Sequence, residues 1–594
     1  MSGSAISLVF MMRAHSDRFC DLALDILNQA ASIFNMKQLF LFLVCFFALM
    51  ASLNFVFCET AFALVEPDWS EGFVVPAGGR SNPYQLSAQE FEASRERGRL
   101  HALVYPVAVT GMLPPYRPVL NFLESQNPNP LYNLLQNLFR SFTEIKNFNS
   151  LLEWVGLHEY PKEDAIGIYK VPYPEGKRPN YYMGLSLIEK NHTTGFTLSC
   201  AACHSASLFG KSILGLTNRF PRANRLFFKA KQASAFADIN IFQISTAADP
   251  SDTALMSETL ENLKSVTTKL PQQLGLDTSL SQVSLSLNRR ALGPWAEKDL
   301  FSQNHPRPDA LDNDIADSKP AVWWNLKYKN RWLSDGSVVS GNPVFTNLLW
   351  NEIGRGVDLQ VLDQWFKENS QVVQDLVTAV FSSEAPAITD FFDINAIDLG
   401  SAKRGETLYI QSCQKCHGEY LKDWDSAQAA SIENIKTVQV FYRNKTAVVD
   451  VQTDPHRARG MKSLEKLNQL EISKNNKTLI RAQNAYVPPP LVGIWARWPY
   501  FHNNSIPSLC ALLSTEKKRP RKYFAREALD QQKDFDLNCN GYPEKSEGTG
   551  SIEFDTSREG LSNLGHDQGI LSDGEVERFS PQDKKDLISF LQTL

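Results

Sequence analysis

The chain has 594 residues, 43% of them hydrophobic, and a formal net charge of −5. That length predicts about two to four domains, and the hydrophobic share is enough to build real cores. The slightly acidic balance gives no argument for nucleic acid, and the chain lacks the Gly-rich loops that cradle a dinucleotide or a nucleoside triphosphate.

Residues 1–35 carry no strong pattern. Met36-Lys37-Gln38 then opens an apolar run from Leu39 to Phe57, followed by Ala61-Phe62-Ala63, the small-x-small sequence that a signal peptidase reads. Met36 reads as the true start and Leu64 as the first mature residue, so residues 1–63 are an N-terminal extension with a signal peptide. The competing reading is an uncleaved anchor, because the run can span a bilayer. Asn54 and the Ala-Phe-Ala site favour cleavage, which leaves no membrane attachment.

Residues 64–195 are rich in Pro, Tyr and short apolar runs, such as Leu113-Pro114-Pro115-Tyr116 and Val171-Pro172-Tyr173-Pro174. Proline removes a backbone donor and fixes φ, which predicts extended coil wrapped on a core, with short helices such as Leu131–Phe142. Cys200-Ala201-Ala202-Cys203-His204 follows. Two thiols at that spacing add to the two vinyl groups of a haem, and the adjacent imidazole reaches the iron. A second copy, Cys413-Gln414-Lys415-Cys416-His417, lies further on. A thioredoxin-like pair or half of a zinc site would use the thiols but leave both histidines to coincidence. The spacing therefore predicts two covalently bound haem c groups. Cys200, Cys203, Cys413 and Cys416 are the attachment points, and His204 and His417 the proximal ligands.

Between the two sites, Pro250-Ser251-Asp252 caps a predicted helix with Leu255, Thr259, Leu260, Leu263 and Val266 on one core-facing side. Residues 319–350 are the most aromatic stretch, with Trp323, Trp324, Tyr328, Trp332, Phe345 and Trp350, and a hydrophobic core explains most of it. Ahead of the second site, Gly405, Tyr409 and Cys413 fall at i, i+4 and i+8 and share a helix face. A Gly there lets another helix cross closely. The predicted partner is the last element, with Ser580 as N-cap, Pro581 as first helical residue, and Leu587, Phe590, Leu591 and Leu594 repeating along one face. Residues 396–594 thus read as a C-terminal cytochrome c domain with a long insertion, and residues 64–395 as an N-terminal haem domain with wrapping loops. The first haem site lacks a Gly at the equivalent spacing, so its domain is expected to be less regular. The fold class is mainly α with extensive irregular coil, two cytochrome c-like haem cores carrying large Pro- and aromatic-rich insertions.

Of nine cysteines, Cys20, Cys45 and Cys58 lie in the N-terminal extension and four in the haem motifs. Cys510 and Cys539 remain, an even pair predicted to form a disulfide, with two free buried thiols as the alternative. Haem c attachment and a disulfide both point to the periplasm or to secretion. An open sixth position on either iron would permit oxygen or peroxide chemistry, and a closed one would suit electron transfer. For the second haem, Met461, His502 and His566 compete. His566 is favoured because it is tethered to the final helix, and His502 comes next. For the first haem, His192, Met256 and His305 have no comparable placement, so a five-coordinate or weakly capped iron is expected.

Several stretches together carry a resemblance: Leu198 to Ala206, Lys319-Pro320-Ala321-Val322-Trp323-Trp324, Lys329 to Ser337, Pro499-Tyr500-Phe501-His502-Asn503, and Asn563-Leu564-Gly565-His566. The chain resembles the dihaem rubber oxygenase family of secreted c-type cytochromes, itself akin to bacterial dihaem peroxidases and the MauG group. The resemblance implies an N-terminal haem that binds dioxygen at an open face and a C-terminal haem with a second His ligand matching His566. It also implies a Trp, matching Trp323 or Trp324, that couples the two, and members that cleave polyisoprene double bonds by dioxygenation. His204, Trp323 and Trp324 are the catalytic candidates on this basis, and Val339 and Phe345 are candidate pocket-lining residues. The expected function is an exported dihaem oxidoreductase that activates dioxygen against an apolar substrate. The alternatives are a dihaem cytochrome c peroxidase, which needs an acid–base Glu or His over the first haem, and a non-enzymatic electron carrier. The partners to expect are dioxygen or peroxide, with an apolar substrate or a small redox protein.

Overall fold

A computed structural model describes residues 66–594 apart from 125–132, 134–135, 138–139, 141–144, 235–237, 425–434, 436, 545–547 and 549. The predicted signal segment lies outside the described residues, as does most of the helix expected over Leu131–Phe142. Contacts divide the chain into Met1–Pro67, almost wholly outside the described residues, and Asp68–Leu594. Helix outweighs strand, 41% against 12%, which makes the chain a mixed helix-and-strand protein in which helix prevails. The strands pair only as two-stranded antiparallel sheets among the described residues, because Pro and Gly interrupt the chain before longer strands can form. No helix among the described residues is long and apolar enough to cross a membrane.

The first haem-type motif is delivered by a hairpin. Strand β1 (Leu185–Lys190) pairs with β2 (Thr193–Leu198), Leu185 opposite Leu198. Its two-residue turn, Asn191 and His192, has positive φ at both positions, the geometry that matches the strands' twist. The motif itself follows, then a second hairpin of β3 (Ser205–Leu208) and β4 (Lys211–Leu214).

Two helix crossings organise the core, and they are built alike. In the C-terminal part, α5 (Leu399–Ser412) crosses α6 (Pro581–Leu591). Helix α6 begins as predicted, with Ser580 capping and Pro581 in the first turn. At the crossing a Cβ on Gly405 would stand 2.0 Å from the Asp586 carbonyl oxygen, so only Gly fits. Arg404 donates Nε and Nη2 to the two carboxylate oxygens of Asp586 at 2.8 and 2.9 Å, and Gln582 adds a bond at 2.8 Å. Tyr409 lies against Phe590, ring centroids 5.1 Å apart.

In the N-terminal part, α1 (Ala88–Leu103) crosses α4 (Ser370–Phe381). A Cβ on Gly98 would stand 1.8 Å from the Asp375 carbonyl oxygen. Arg97 donates Nε and Nη2 to Asp375, both at 2.8 Å, and Gln371 adds a bond at 2.9 Å. Ser-x-x-Arg-Gly (Ser94 to Gly98, Ser401 to Gly405) therefore faces Gln-x-x-x-Asp (Gln371 to Asp375, Gln582 to Asp586) in both. No glycine stands at the equivalent spacing before Cys200, where His192 lies, and the first crossing takes its glycine from elsewhere. Its glycine stands far upstream of Cys200, because a crossing needs only a small residue on the contact face and tolerates any insertion between that helix and the motif.

Helix α2 (Pro250–Lys264) is capped by Asp249, one turn position earlier than expected, and buries Leu255, Thr259 and Leu263. Helix α3 (Pro343–Arg355) supplies Phe345, Leu348 and Leu349 to the same core as α1 and α4. That core also takes in Met461, Leu464 and Leu467 from the C-terminal third, with Cys200 at its margin. The other core gathers α5 and α6, with Cys413 at its margin, and draws in Ala206, Leu208 and Ile213 from β3 and β4. Trp323 belongs to the first core and Trp324 to the second. Cys510 and Cys539 form the predicted disulfide.

Candidate functional site

The two Cys-x-x-Cys-His stretches fold into the same local turn. Cys200–Ala202 is a single 3-10 turn, and Gln414–His417 a short helical turn following α5. In each, the histidine amide donates to the carbonyl of the first cysteine at 3.0 Å. That i to i−4 bond brings both thiols and the imidazole to one side of the turn. Asn218 fastens the first turn, its Nδ2 donating to the Ala202 carbonyl at 2.8 Å and its amide to the Cys203 carbonyl at 3.0 Å.

Both imidazoles are oriented in the same way. His204 Nδ1 lies 2.9 Å from the Ala321 carbonyl oxygen, and His417 Nδ1 lies 2.9 Å from that of Pro489. A carbonyl only accepts, so Nδ1 carries the proton in each ring and Nε2 keeps a lone pair for a metal. Burial pushes the His204 pKa down to about 4 and lowers that of His417, so both are neutral at pH 7, as ligation requires. Burial pushes the Cys200 thiol up to about 11 and Cys413 to about 12, and raises Cys203. Half-buried thiols held protonated are poor nucleophiles, the reverse of a thioredoxin-like pair. None of the four motif cysteines is paired in a disulfide.

His566 faces His417 across a gap, ring centroids 6.3 Å apart and planes at 59°. A metal bound to one nitrogen of each ring at about 2 Å would set the centroids roughly 6 Å apart. His566 Nδ1 is buried without a hydrogen-bond partner, and burial pushes its pKa down to about 3. The loop that holds it needs glycine. Gly565 has φ +82°, and a Cβ there would stand 2.4 Å from the Gln452 carbonyl carbon. Arg519 Nη1 donates to the carbonyls of Asn563 and Gly565 at 2.5 and 2.7 Å, and the His566 amide donates to Val451 at 2.6 Å. The sequence reading missed Arg519, because nothing local ties it to a loop so much further along the chain.

The other ligand candidates stand elsewhere. His502 is stacked on Tyr486, centroids 4.2 Å apart, and its carbonyl accepts from the Lys319 amide at 2.8 Å. Met461 is 0% exposed within the first core. His192 is exposed at the hairpin turn, His305 is exposed against Phe301, and Met256 is half-buried on α2. Among the described residues no group of three or more His, Cys, Asp or Glu side chains is placed to hold a metal ion. A zinc site needs such a group; a porphyrin brings four donors of its own.

Trp323 leans on His204, centroids 5.9 Å apart and planes at 39°. Trp324 is fully buried, and its Nε1 donates to the Val492 carbonyl at 2.9 Å. Ala321, whose carbonyl holds His204, lies three residues before Trp324, and Pro489, whose carbonyl holds His417, lies three residues before Val492. One hydrogen bond thus joins the peptide segments that anchor the two histidines. Val339 and Phe345 are both buried, Phe345 against Phe366 at 4.6 Å.

Residues 485–524 match the family described as RoxA-like, cytochrome c-like. That segment contains Pro489, Val492, Arg497, His502 and Arg519. Over longer stretches the chain is similar to two uncharacterized proteins of Sinorhizobium fredii. It is 24% identical to y4iJ over 483 residues, 67% of this chain and 76% of that one. It is 27% identical to y4iM over 315 residues, 49% of this chain and 67% of that one. The segment that supplies the carbonyl anchor of His417 and the arginine clamp of the His566 loop is therefore also the one that relates the chain to RoxA-like cytochrome c proteins, and through it to a redox lineage.

Proposed function

We propose that the protein is an exported dihaem c-type cytochrome working as an oxidoreductase. One haem is held by Cys200 and Cys203 with His204 as ligand, the other by Cys413 and Cys416 with His417 and His566. The observation that carries this reading is the repeated turn with Nδ1 tied to a carbonyl, together with the 6.3 Å separation of His417 and His566. The iron porphyrins supply the redox and oxygen chemistry when bound, and the protein supplies ligation, burial and orientation.

In this reading the first site activates dioxygen against an apolar substrate. The surface positions of His192 and His305 support a first iron with one protein ligand and a face open to a small gas. His566 closes the second site, which suits electron storage. Trp324, through its bond to Val492, couples the two ligand segments, while Trp323 fixes the His204 ring by packing. The proposed setting is the periplasm or the outside of the cell, in keeping with the Cys510–Cys539 disulfide. Peroxide in place of dioxygen, with a small redox protein as electron donor, is the alternative chemistry of the same site.

The test uses the purified mature protein. Its intact mass should exceed the polypeptide by two covalent haems, and after reduction carbon monoxide should bind at one of them. No Soret absorbance, only removable pigment, or carbon monoxide at both irons would refute the assignment. Oxygen uptake with a polyisoprene substrate, against peroxide turnover with a reduced small cytochrome, separates oxygenase from peroxidase.

A further inference from the structure

Four cations, Arg219 and Lys329 buried and Lys319 and Arg497 half-buried, gather between the two histidine anchors with no carboxylate among the described residues at ion-pair distance. Arg219 follows Asn218, which is bonded to the Cys203 carbonyl. Lys319 lies two residues before Ala321, whose carbonyl holds His204. Arg497 donates Nη1 to the Pro490 carbonyl at 2.8 Å, beside the Pro489 that holds His417. Arg219, Lys319 and Arg497 line one cavity with Trp498 and Asn504, and Lys329 is buried within the electrostatic reach of Arg497.

The charges are unbalanced. Arg219 is 5% exposed, stacks on Trp498 at 4.2 Å, and leaves Nε and Nη1 with no partner. Lys319 donates Nζ only to main-chain carbonyls, those of Pro499 at 2.5 Å and Arg497 at 3.2 Å. Among the described residues none of the four is within ion-pair distance of an acidic group. The ionisable groups that act on Lys319 are Arg497 and Arg219, both positive, and burial with that repulsion lowers its pKa well below the ordinary lysine range. Burial likewise pushes Arg497 down to about 10 and Lys329 to about 8. Burying like charges together is costly unless an anion joins them.

We infer that Arg219, Lys319 and Arg497, with Lys329 beside them, form a socket for the propionate carboxylates of the haem pair. The inference rests on the dihaem reading above and adds to it where the polar edge of the macrocycles is held. Cys200, Cys203, Cys413 and Cys416 with the histidines would hold the vinyl edge and the iron of bound haems, and none of them would neutralise the propionates. Two arginines and two lysines beside both histidine anchors would.

A carboxylate among cations stays ionised well below its ordinary pKa, so it takes up no proton when the iron is reduced. Removing a cation brings the carboxyl into the working range and couples it to the iron. The other ionisable groups that face the socket are Tyr420 and Tyr500 at Arg497, Glu527, Tyr500 and Tyr542 at Arg219, Asp335 at Lys329, and His502 beside Lys319 and Arg457. Carrying the variants also in an Asp335→Asn background removes the one of these, a buried carboxyl whose pKa is raised, most able to mimic the effect.

The experiment compares the full-length, fully matured protein with Lys319→Met and Arg497→Met, and with the charge-keeping Lys319→Arg and Arg497→Lys. Intact mass counts covalent haems, and spectroelectrochemistry gives midpoint potentials from pH 5 to 8. Wild type should hold both potentials constant over that range. Each Met variant should keep two haems, while one midpoint gains a slope toward about 59 mV per tenfold change in proton concentration; the charge-keeping variants should not. Met variants that carry two haems and show potentials as flat as wild type would overturn the socket. A full one-proton slope in wild type itself would overturn it whether or not any variant matures. Absence of covalent haem from wild type would overturn the dihaem reading, and mass alone reports that failure.

Discussion

Replacing Gly405 by Ala tests the architecture at its tightest point. The new Cβ would stand 2.0 Å from the Asp586 carbonyl oxygen, 2.5 Å from its carbon and 2.9 Å from the Phe590 Cβ. The nearest atoms are backbone, so no side chain can swing aside, and α6 must retreat by more than about 1 Å to reach ordinary contact. Overpacking of this kind costs about 1–3 kcal/mol or more, set against a gain of about 1 kcal/mol from replacing a mid-helix Gly with Ala. Separating the helices also stretches the two Arg404–Asp586 bonds. A net loss of about 1–2 kcal/mol is expected, and Gly98→Ala should lose at least as much, since its Cβ meets Asp375 at 1.8 Å. Gly354, in α3, is the matched control. Nothing lies within 4 Å of its Cβ position, so Ala there should stabilise by about 0.5–1 kcal/mol. Urea midpoints of the matured protein, followed by circular dichroism, rank the three variants. If Gly405→Ala or Gly98→Ala unfolds no earlier than wild type, or if Gly354→Ala falls with them, the crossings are not where the helices are locked together.

Arg519→Ala should free the His566 loop by leaving the buried carbonyls of Asn563 and Gly565 unpaired, at about 1–3 kcal/mol per group. The spectroscopic sign is a second haem that gains high-spin character and begins to bind carbon monoxide; an unchanged low-spin spectrum would show that the clamp is dispensable. Trp324→Phe removes the Nε1 bond to Val492 while keeping most of the ring. Electron exchange between the haems after flash reduction should slow markedly, while Trp323→Phe should have the smaller effect, and equal rates in all three proteins would remove Trp324 from the route. For His502, burial first, with Arg457 and Lys319, pushes the folded pKa to about 3 from an ordinary 6.5. Below pH 6.5 the unfolded chain takes up a proton that the folded one refuses, so its contribution to stability is full above 6.5 and is lost as pH falls toward 3. The slope is about 1.4 kcal/mol per pH unit for one proton. His502→Phe should flatten the stability curve between pH 6 and 4 by that amount, and an identical curve would place the proton uptake elsewhere.

Local chemistry made part of this protein legible from residues alone. The two Cys-x-x-Cys-His turns are short-range objects, since one i to i−4 bond suffices to bring thiols and imidazole to one side, and that bond forms in both. The Gly405 face, the Ser580 cap and Pro581 marked a helix pair because each is a rule about neighbours three or four residues apart. Cys510 and Cys539 were paired by elimination. The equivalent crossing at Gly98 is not evident beside Cys200, because its glycine stands far upstream of that motif. The signal existed, as Ser94-x-x-Arg97-Gly98 repeats Ser401-x-x-Arg404-Gly405, but only the packing of α1 on α4 shows that the repeat means anything.

What residues in sequence determined, then, is local: which thiols and imidazoles stand together, which helices can touch closely, and which cysteines are left over. The tertiary structure decided everything that depends on a carbonyl or a ring arriving from far away. It brought Ala321 and Pro489 to the two Nδ1 atoms, set His566 across from His417 while leaving His502 on Tyr486, and divided Trp323 and Trp324 between two cores. The physical reason is that a backbone carbonyl offers the same acceptor at every residue, and a buried cation the same charge, so their sequence carries no mark of the partner they will meet. Only long-range packing, closed by crossings that admit no Cβ, selects which of them face the site.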